Sequence, residues 1–176
     1  MNRTADHEMT AFRDKLTKIC RKWMLEGLPS RQALDHTATE LIRWKEAHLV
    51  KGLRPRPRSM VTATLDDGLG QGIQIIEQYA RIAGIQIHSM GLLQQPDVIV
   101  QQCRRLKPDL LGLTILQLDS DEDLCRVGHN LPSQTRLIAG GPVFTFDPDM
   151  ALRCKVDYVA ADLSYFMDYL LKWPCP

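Results

Sequence analysis

The stretch from residue 61 to residue 72 limits the fold of this chain more than any other part of it. Val61–Leu65 is apolar or β-branched, as in a buried strand, and the next seven residues include three glycines. An amphipathic helical pattern begins at Ile73. A glycine-rich turn between a parallel strand and a helix is typical of open α/β sheets, which bind ligands at their carboxyl edge.

Strand and helix patterns then alternate as far as Lys172. Five βα units with short connections predict an α/β fold with a five-stranded, doubly wound parallel sheet of the flavodoxin-like kind. The predicted strands are 60–65, 85–88, 109–115, 135–139 and 156–160. The predicted helices are 72–83, 96–106, 149–154, 163–172 and one within 119–131.

An N-terminal α-helical hairpin is predicted ahead of the sheet, because residues 8–26 and 30–49 have apolar side chains at helical spacing. Pro55 and Pro57 lie among basic residues and predict an extended, solvated linker. Two helices alone bury their apolar faces poorly, so the hairpin should dock on the following domain or form a homodimer with a second copy. The predicted domains are a hairpin at 1–50, a linker at 51–59 and an α/β domain at 60–176.

Charge is divided unevenly along the chain. Residues 1–58 contain 13 basic and 7 acidic side chains, a net charge of +6, whereas the remainder contains 9 and 14, a net charge of −5. The basic part is expected to contact the acidic domain or another acidic partner, with nucleic acid as one alternative. With 44% hydrophobic and 24% charged residues, the chain is expected to be soluble and globular. It has no apolar run of membrane-spanning length and no signal-peptide core, so a cytoplasmic location is expected.

The five cysteines lack the paired spacing of zinc and iron–sulfur sites. We interpret them as reduced thiols that mostly fill apolar space. They are Cys20, Cys103, Cys125, Cys154 and Cys175.

Three loops, which follow the first, third and fourth predicted strands, should meet at the carboxyl edge of the sheet. Asp67–Gly72 reads Asp-Gly-Leu-Gly-Gln-Gly, Thr114–Leu116 reads Thr-Ile-Leu, and Gly140–Pro142 reads Gly-Gly-Pro. Taken in order, these loops resemble the cobalamin-binding domain family, which has Asp-x-His-x-x-Gly, Ser-x-Leu and Gly-Gly at these places. The resemblance covers residues 59–172, most of the chain.

The resemblance implies a cofactor at this edge, with cobalamin expected and heme as the alternative. The glycines would let the backbone approach a flat ring or a nucleotide tail, and Thr114 would hydrogen-bond a heterocycle nitrogen or a ribose. Each residue singly also has a plain structural role, since glycines ease strand-to-helix turns. The implied cofactor-binding residues are Asp67, Leu69, Gly70, Gly72, Thr114, Leu116, Gly140, Gly141 and Pro142.

Leu69 replaces the motif histidine that ligates cobalt from below in the family. Leucine cannot coordinate a metal, whereas the imidazole nitrogen can. Because some members of the family lack this histidine, its loss does not exclude the cofactor. The lower position would then be empty, hold water or keep the cofactor's own base. His36 and His48 of the hairpin are the natural candidates for an upper ligand.

Two functions remain open at this stage. One is a methyl carrier that serves partner methyltransferases, with cobalt supplying the chemistry. The other is a regulatory or antirepressor-type protein on the same fold, which contacts a transcription regulator or nucleic acid and binds cobalamin, another tetrapyrrole or no cofactor. The chain is not expected to be an enzyme alone, because it has no evident nucleophile–base pair.

Two other α/β families fit less well. The third glycine of Gly68–Gly72 comes one residue too early for a nicotinamide fingerprint, and the second strand leads to His88 rather than to an acid. A phospho-receiver domain would need an aspartate where Leu113 and Thr114 end the third strand.

Overall fold

The computed structural model of the protein describes residues 3–66 and 71–173. Its strands are β1 (Arg58–Thr64), β2 (Ile85–Ser89), β3 (Leu110–Thr114), β4 (Arg136–Gly140) and β5 (Tyr158–Val159). Its helices are α1 (Arg3–Glu26), α2 (Arg31–Ala47), α3 (Gln71–Ile82), α4 (Pro96–Leu106), α5 (Asp121–Asn130), α6 (Val143–Phe146), α7 (Met150–Arg153) and α8 (Leu163–Lys172), with a 3₁₀ turn at Leu118–Ser120. The strands form one sheet in the order β2-β1-β3-β4-β5, and the prediction of a five-stranded parallel sheet preceded by helices is confirmed.

Several elements differ in extent from the predictions. Helix α1 begins at Arg3 rather than at residue 8. Strand β5 is limited to Tyr158–Val159 rather than 156–160, because it lies at the sheet edge and pairs with β4 alone. Helix α6 and the 3₁₀ turn were not predicted, since elements of three or four residues are too short to produce a periodic pattern. Helices α4 and α8 have the predicted bounds.

The chain divides into two compact units. The helical unit comprises residues 3–57, 78–86 and 162–173 of the described chain, and the sheet unit comprises residues 58–66, 71–77 and 87–161. The domain boundaries predicted from the sequence stay predictions.

Alternate residues of three strands form the core of the sheet unit. Val61, Ala63 and Leu65 are two residues apart, so their side chains lie on the same face of the strand. Corresponding residues of β3 and β4 join the same buried cluster, together with apolar side chains of α4 and α5. The buried partners include Leu111, Leu113, Ile115, Leu137, Ala139, Ile99, Cys103, Leu124 and Val127. Because burial of this face sets the register of the paired strands, it also determines which residues lie side by side at their ends.

The helical unit is held by aromatic packing. The Phe12 ring stacks on Trp44 with 5.6 Å between ring centroids, and Trp23 meets the edge of Tyr79 at 5.5 Å. The buried Tyr79 hydroxyl donates a hydrogen bond to the backbone oxygen of Leu34 at 2.8 Å. Helix α1 also packs against α8. Within the described residues, no helix is long and apolar enough to cross a membrane.

The predicted solvated linker is wrong for its first part. Gly52 and Leu53 are buried, and the Leu53 amide donates to the Ala83 carbonyl at 2.8 Å. The Arg54 guanidinium donates to the Leu170 carbonyl at 3.1 Å and lies over the Trp173 ring. Composition alone did not reveal this packing, because basic residues bury their alkyl stems while their charged groups reach backbone oxygens.

The interpretation of all five cysteines as reduced thiols is also wrong. Cys125 of α5 forms a disulfide with Cys154, which follows α7, across a sequence separation of 29 residues. Cys20 and Cys103 are buried free thiols, and Cys175 lies outside the described residues. The spacing did not indicate the pair, because the fold rather than the sequence brings α5 and α7 together.

Gly52 is expected to tolerate no side chain. A Cβ there would lie 2.5 Å from the Ala83 oxygen and 2.5 Å from the Gly84 Cα, which are both backbone atoms. Gly52→Ala should therefore lower the free energy of unfolding by about 2 kcal/mol, as overpacking does. Urea denaturation measures the change. Gly72→Ala is the matched control, because a Cβ at this helical residue approaches described atoms no closer than 4.0 Å and alanine favours a helix.

The cysteines should separate into two classes on labelling. Burial raises the pKa of Cys20 to about 11 and that of Cys103 to about 12, so both should resist iodoacetamide at pH 8 in the folded protein. Unfolding without a reductant should expose these two thiols while Cys125 and Cys154 stay unlabelled. Peptide mass mapping reads each site. Labelling of Cys125 and Cys154 in the unfolded, unreduced chain would contradict the disulfide.

Candidate cofactor-binding site

The carboxyl ends of three strands lie side by side in the sheet unit. Thr64 of β1 is in register with Thr114 of β3, which is in register with Gly140 of β4. The loops that follow these strands therefore open at one edge, as expected for a parallel sheet. The carboxyl ends of the three strands are adjacent as the predicted sheet requires, whereas the meeting of the three loops and the assignment of a ligand to them stay predictions.

Asp66 ties the first of these loops to the second. Its Oδ2 accepts hydrogen bonds from the backbone amides of Leu116 at 2.6 Å and Gln117 at 3.2 Å. The Thr64 hydroxyl donates to the Asp66 carbonyl at 2.8 Å. Asp66 is only 4% exposed, and its second carboxylate oxygen, Oδ1, has no hydrogen-bond partner among the described residues. A buried acceptor without a donor is costly, so Oδ1 is a natural position for a ligand donor.

Gly72 has no close neighbour other than Thr114 among the described residues. It is exposed in the first turn of α3, and a Cβ built there would meet only the Thr114 Cγ2, at 4.0 Å, among the described atoms. Its backbone does not have the positive φ that would demand glycine. Neither packing against the described residues nor backbone conformation therefore requires a glycine at this point.

Gly140 and Gly141 are glycines for reasons internal to the fold. A Cβ at Gly140 would lie 2.7 Å from the Ala160 oxygen, and one at Gly141 would lie 1.9 Å from the Ile115 oxygen. Gly141 also has φ +131°, a conformation that side chains disfavour. These two glycines are explained without a ligand, so they are weaker evidence for one than the sequence motif implied. Pro142, which is exposed, follows them and precedes α6.

A fourth loop, which the sequence reasoning missed, also reaches this edge. The Thr64 amide donates to the Gly91 carbonyl at 3.1 Å, and the Gln94 amide donates to the Thr64 carbonyl at 2.9 Å. These bonds place the exposed side chains of Leu92 and Leu93 in a loop beside the end of β1. The signal in the sequence was an apolar pair next to a glycine after β2, which is unusual for a solvated loop.

Of the remaining predicted cofactor-binding residues, one lies within the described residues and three do not. Leu116 is 41% exposed at the end of β3, where its amide is bound to Asp66. The predicted residues that lie outside the described residues are Asp67, Leu69 and Gly70. The role of Asp66 was missed in favour of its neighbour, because two adjacent carboxylates cannot be told apart before the strand register is known.

Protein ligands for a metal are not assembled in the described part of the chain. No group of three or more histidine, cysteine, aspartate or glutamate side chains there has the proximity that a metal ion needs. The imidazole of His36 is 3.6 Å from a Glu40 oxygen, and that of His48 stacks on Trp44 and hydrogen-bonds its carbonyl oxygen. An upper ligand from these histidines stays a prediction.

This combination defines a class of protein. A parallel sheet with the strand order 2-1-3-4-5 and a loop-lined carboxyl edge is the flavodoxin-like arrangement of ligand-binding α/β domains. The family model of the B12 binding domain matches residues 57–163. The chain therefore belongs to the B12-binding domain family, whose cofactor is cobalamin.

Solved structures share this fold at low sequence identity. A novel cobalamin-binding protein from Desulfitobacterium hafniense DCB-2 superposes with a TM-score of 0.79 at 17% identity, with 97% of this chain and 85% of that chain covered. The Methanosarcina barkeri monomethylamine corrinoid protein gives 0.60 at 15% identity, with 89% and 77% covered. The methanol:cobalamin methyltransferase complex MtaBC from Methanosarcina barkeri gives 0.60 at 15% identity, with 97% and 69% covered. No curated protein sequence matches significantly.

Asp66→Ala should lower the free energy of unfolding by about 2 kcal/mol, because it removes a charged acceptor from two backbone amides. Asp66→Asn keeps one side-chain oxygen and should cost less. Urea denaturation of the cofactor-free protein measures both. Asp119→Ala, which changes an exposed carboxylate, is the control and should have little effect. Equal losses for Asp66→Ala and Asp119→Ala would contradict the bridging role.

Proposed function

We propose that this chain carries cobalamin at the carboxyl edge of its sheet and presents it to a partner methyltransferase. One observation supports this position most strongly. A Cβ at Gly72 would meet only the Thr114 Cγ2, at 4.0 Å, among the described atoms, so packing against the described residues does not require a glycine there. The family and the position of this residue at the carboxyl edge of the sheet both support the proposal.

The residues at this edge fit the chemistry of a corrinoid, which has a flat ring with amide side chains and a nucleotide tail. Gly72 would allow the ring or the tail to approach the backbone, and the Thr114 hydroxyl would hydrogen-bond the tail. The unpartnered Oδ1 of Asp66 would accept a hydrogen bond from an amide or hydroxyl group of the cofactor. Leu92 and Leu116 would cover apolar parts of the ring.

Other predicted residues have narrower roles in this proposal. Gly140 and Gly141 would keep the β4 loop close to Ile115 and Ala160, so they would shape the edge without contacting the cofactor. Asp67 and Gly70 are proposed, from the motif alone, to line the lower side of the ring. Leu69 would contact the ring as an apolar side chain and would leave the lower cobalt position without a protein ligand from this motif.

The proposed activity is transfer of a methyl group between partners. When cobalamin is bound, its cobalt supplies the methyl-accepting and methyl-donating chemistry, and the chain supplies binding and orientation. One solved structure with this fold is a methyltransferase complex, and another is a monomethylamine corrinoid protein. These similarities support a partner methyltransferase as the protein that acts with this chain.

A second candidate is a cobalamin-dependent regulator. Loss of the motif histidine at Leu69 removes the tuning of the metal from below, which favours sensing over methyl transfer. The net charge of +6 in residues 1–58 would suit an acidic partner, such as an acidic transcription regulator or nucleic acid. Pairing of the N-terminal hairpin with a second copy of the chain, which would give a homodimer, is an alternative. Binding of nucleic acid that weakens steeply with salt would support the regulator over the carrier.

Absorption spectroscopy tests the site. Purified protein incubated with hydroxocobalamin and then desalted should keep the red cofactor at a near-equimolar ratio. Gly72→Trp should lose most of it, because an indole would occupy the space next to Thr114. Gln101→Trp is the matched control, since it adds the same ring at an exposed position of α4 and should keep the cofactor.

Circular dichroism should first establish that both variants fold. Retention of cobalamin by Gly72→Trp at the level of the parent would place the cofactor elsewhere. Complete loss of cobalamin from the parent protein on desalting would remove the carrier proposal. A parallel incubation with hemin distinguishes the two tetrapyrroles, because retention of hemin alone would replace cobalamin with heme.

A further inference from the structure

A groove in the helical unit is lined by both apolar and charged side chains. It is a cavity of about 670 Å³ between the second half of α2 with the segment after it and the last turns of α3. Its apolar residues are Ile42, Leu49, Val50 and Ile82, and its charged residues are Lys45, Glu46, Lys51 and Arg81. We call these eight residues, together with Gln78, the α2–α3 groove.

Leu49 is placed in this groove by an unusual helix end. It follows α2 as the C′ residue, where its amide donates to the Glu46 carbonyl at 3.3 Å and the Val50 amide donates to the Lys45 carbonyl at 2.9 Å. This is the Schellman arrangement, whose C′ residue is left-handed and is usually glycine. Leu49 has φ +54°, which is unfavourable for a bulky side chain.

The Leu49 side chain contributes little packing to the described fold. It is 90% exposed, so it buries almost no apolar surface within the chain. It also lines a second cavity, of about 340 Å³, together with Val50 and Lys51. A leucine that strains the backbone and remains exposed is explained most simply by a contact outside the chain.

The charges of the groove indicate the chemistry of that contact. Three cationic side chains, Lys45, Lys51 and Arg81, and one acidic side chain, Glu46, line the groove, which gives its lining a net charge of +2. Lys45 is partly buried, and burial lowers its pKa, although its ammonium keeps a hydrogen bond to the Ile82 carbonyl. An acidic group above Lys45 would compensate the desolvation of this cation.

The two walls of the groove indicate a helical occupant. Ile42 and Glu46 lie one turn apart on α2, and Leu49 occupies the left-handed position just beyond the end of that helix. The last turns of α3 form the facing wall with Arg81 and Ile82. An apolar channel between two helical segments is the surface into which an amphipathic helix packs its apolar face.

We propose that the α2–α3 groove docks an amphipathic helix of a partner protein, with leucine-like side chains against its apolar residues and glutamate or aspartate side chains beside Lys45 and Lys51. Every groove residue belongs to the helical unit, whereas the proposed cofactor edge belongs to the sheet unit. The test of the groove therefore needs no cobalamin, and either proposal can fail while the other holds.

Fluorescence anisotropy with a synthetic peptide tests this docking on the full chain. The probe is a dye-labelled, alanine-based 18-residue peptide with leucines at i, i+3, i+4 and i+7 and four glutamates beside this apolar face, a length chosen to give about five helical turns. It should bind saturably, and the affinity should fall as salt rises. A peptide with lysine in place of glutamate should bind at least about tenfold more weakly, as should a scrambled peptide without an apolar face.

Leu49→Gly is the decisive variant, because it removes the side chain and relieves the left-handed strain. We expect peptide affinity to fall at least about tenfold while the melting temperature stays equal or rises. Lys51→Glu should also weaken binding. The control is Leu25→Ala on α1, which changes an equally exposed leucine outside the groove and should leave affinity unchanged.

Three outcomes would overturn the proposal. The first is the absence of saturable binding of the glutamate peptide by the parent protein. The second is equal affinity for Leu49→Gly and the parent. The third is a concentration-dependent dimer in light scattering that Leu49→Gly abolishes, because it would assign the groove to a second copy of the chain.

Discussion

The parallel register of β1, β3 and β4 is the constraint on which the candidate site depends. It aligns Thr64, Thr114 and Gly140, so the loops after three separate segments open at one edge. Burial enforces the register, because a shift by one residue would turn Val61 and Leu111 away from the apolar cluster. Asp66 then adds a local tie, since its carboxylate accepts two amides of the β3 loop.

The glycines of the three loops show that a glycine in a binding motif can be required by the packing of the chain itself. Gly140 and Gly141 have backbone oxygens where a Cβ would be, so the fold alone requires them. Gly72 has no such neighbour among the described residues. In the sequence all three glycines looked alike, and only the distances to other segments separated the glycine without a close neighbour among the described residues from the two that pack against other loops.

Leu49 and the α2–α3 groove illustrate the opposite case, in which an ordinary residue becomes informative through its backbone. In the sequence Leu49 completed the apolar face of a helix that was expected to continue to that position. In the structure α2 ends at Ala47, and Leu49 occupies the left-handed position after it. Its side chain is thereby exposed rather than buried. A change of two residues in a helix boundary thus moved Leu49 from the predicted apolar face of a helix to an exposed position after it.

The sequence by itself determined the fold class, because the continuous apolar or β-branched run of β1 and the helical spacing of apolar residues in α3, α4 and α8 are local patterns that are visible without the structure. It also determined the family, since three short motifs occur in order along one chain. Only the tertiary structure decided that Asp66 bridges two loops, that the Leu92 loop reaches the same edge, that Cys125 pairs with Cys154, and that Gly52 is buried. Each of these depends on the distance between segments remote in sequence, and that distance is set by packing rather than by local residue pattern.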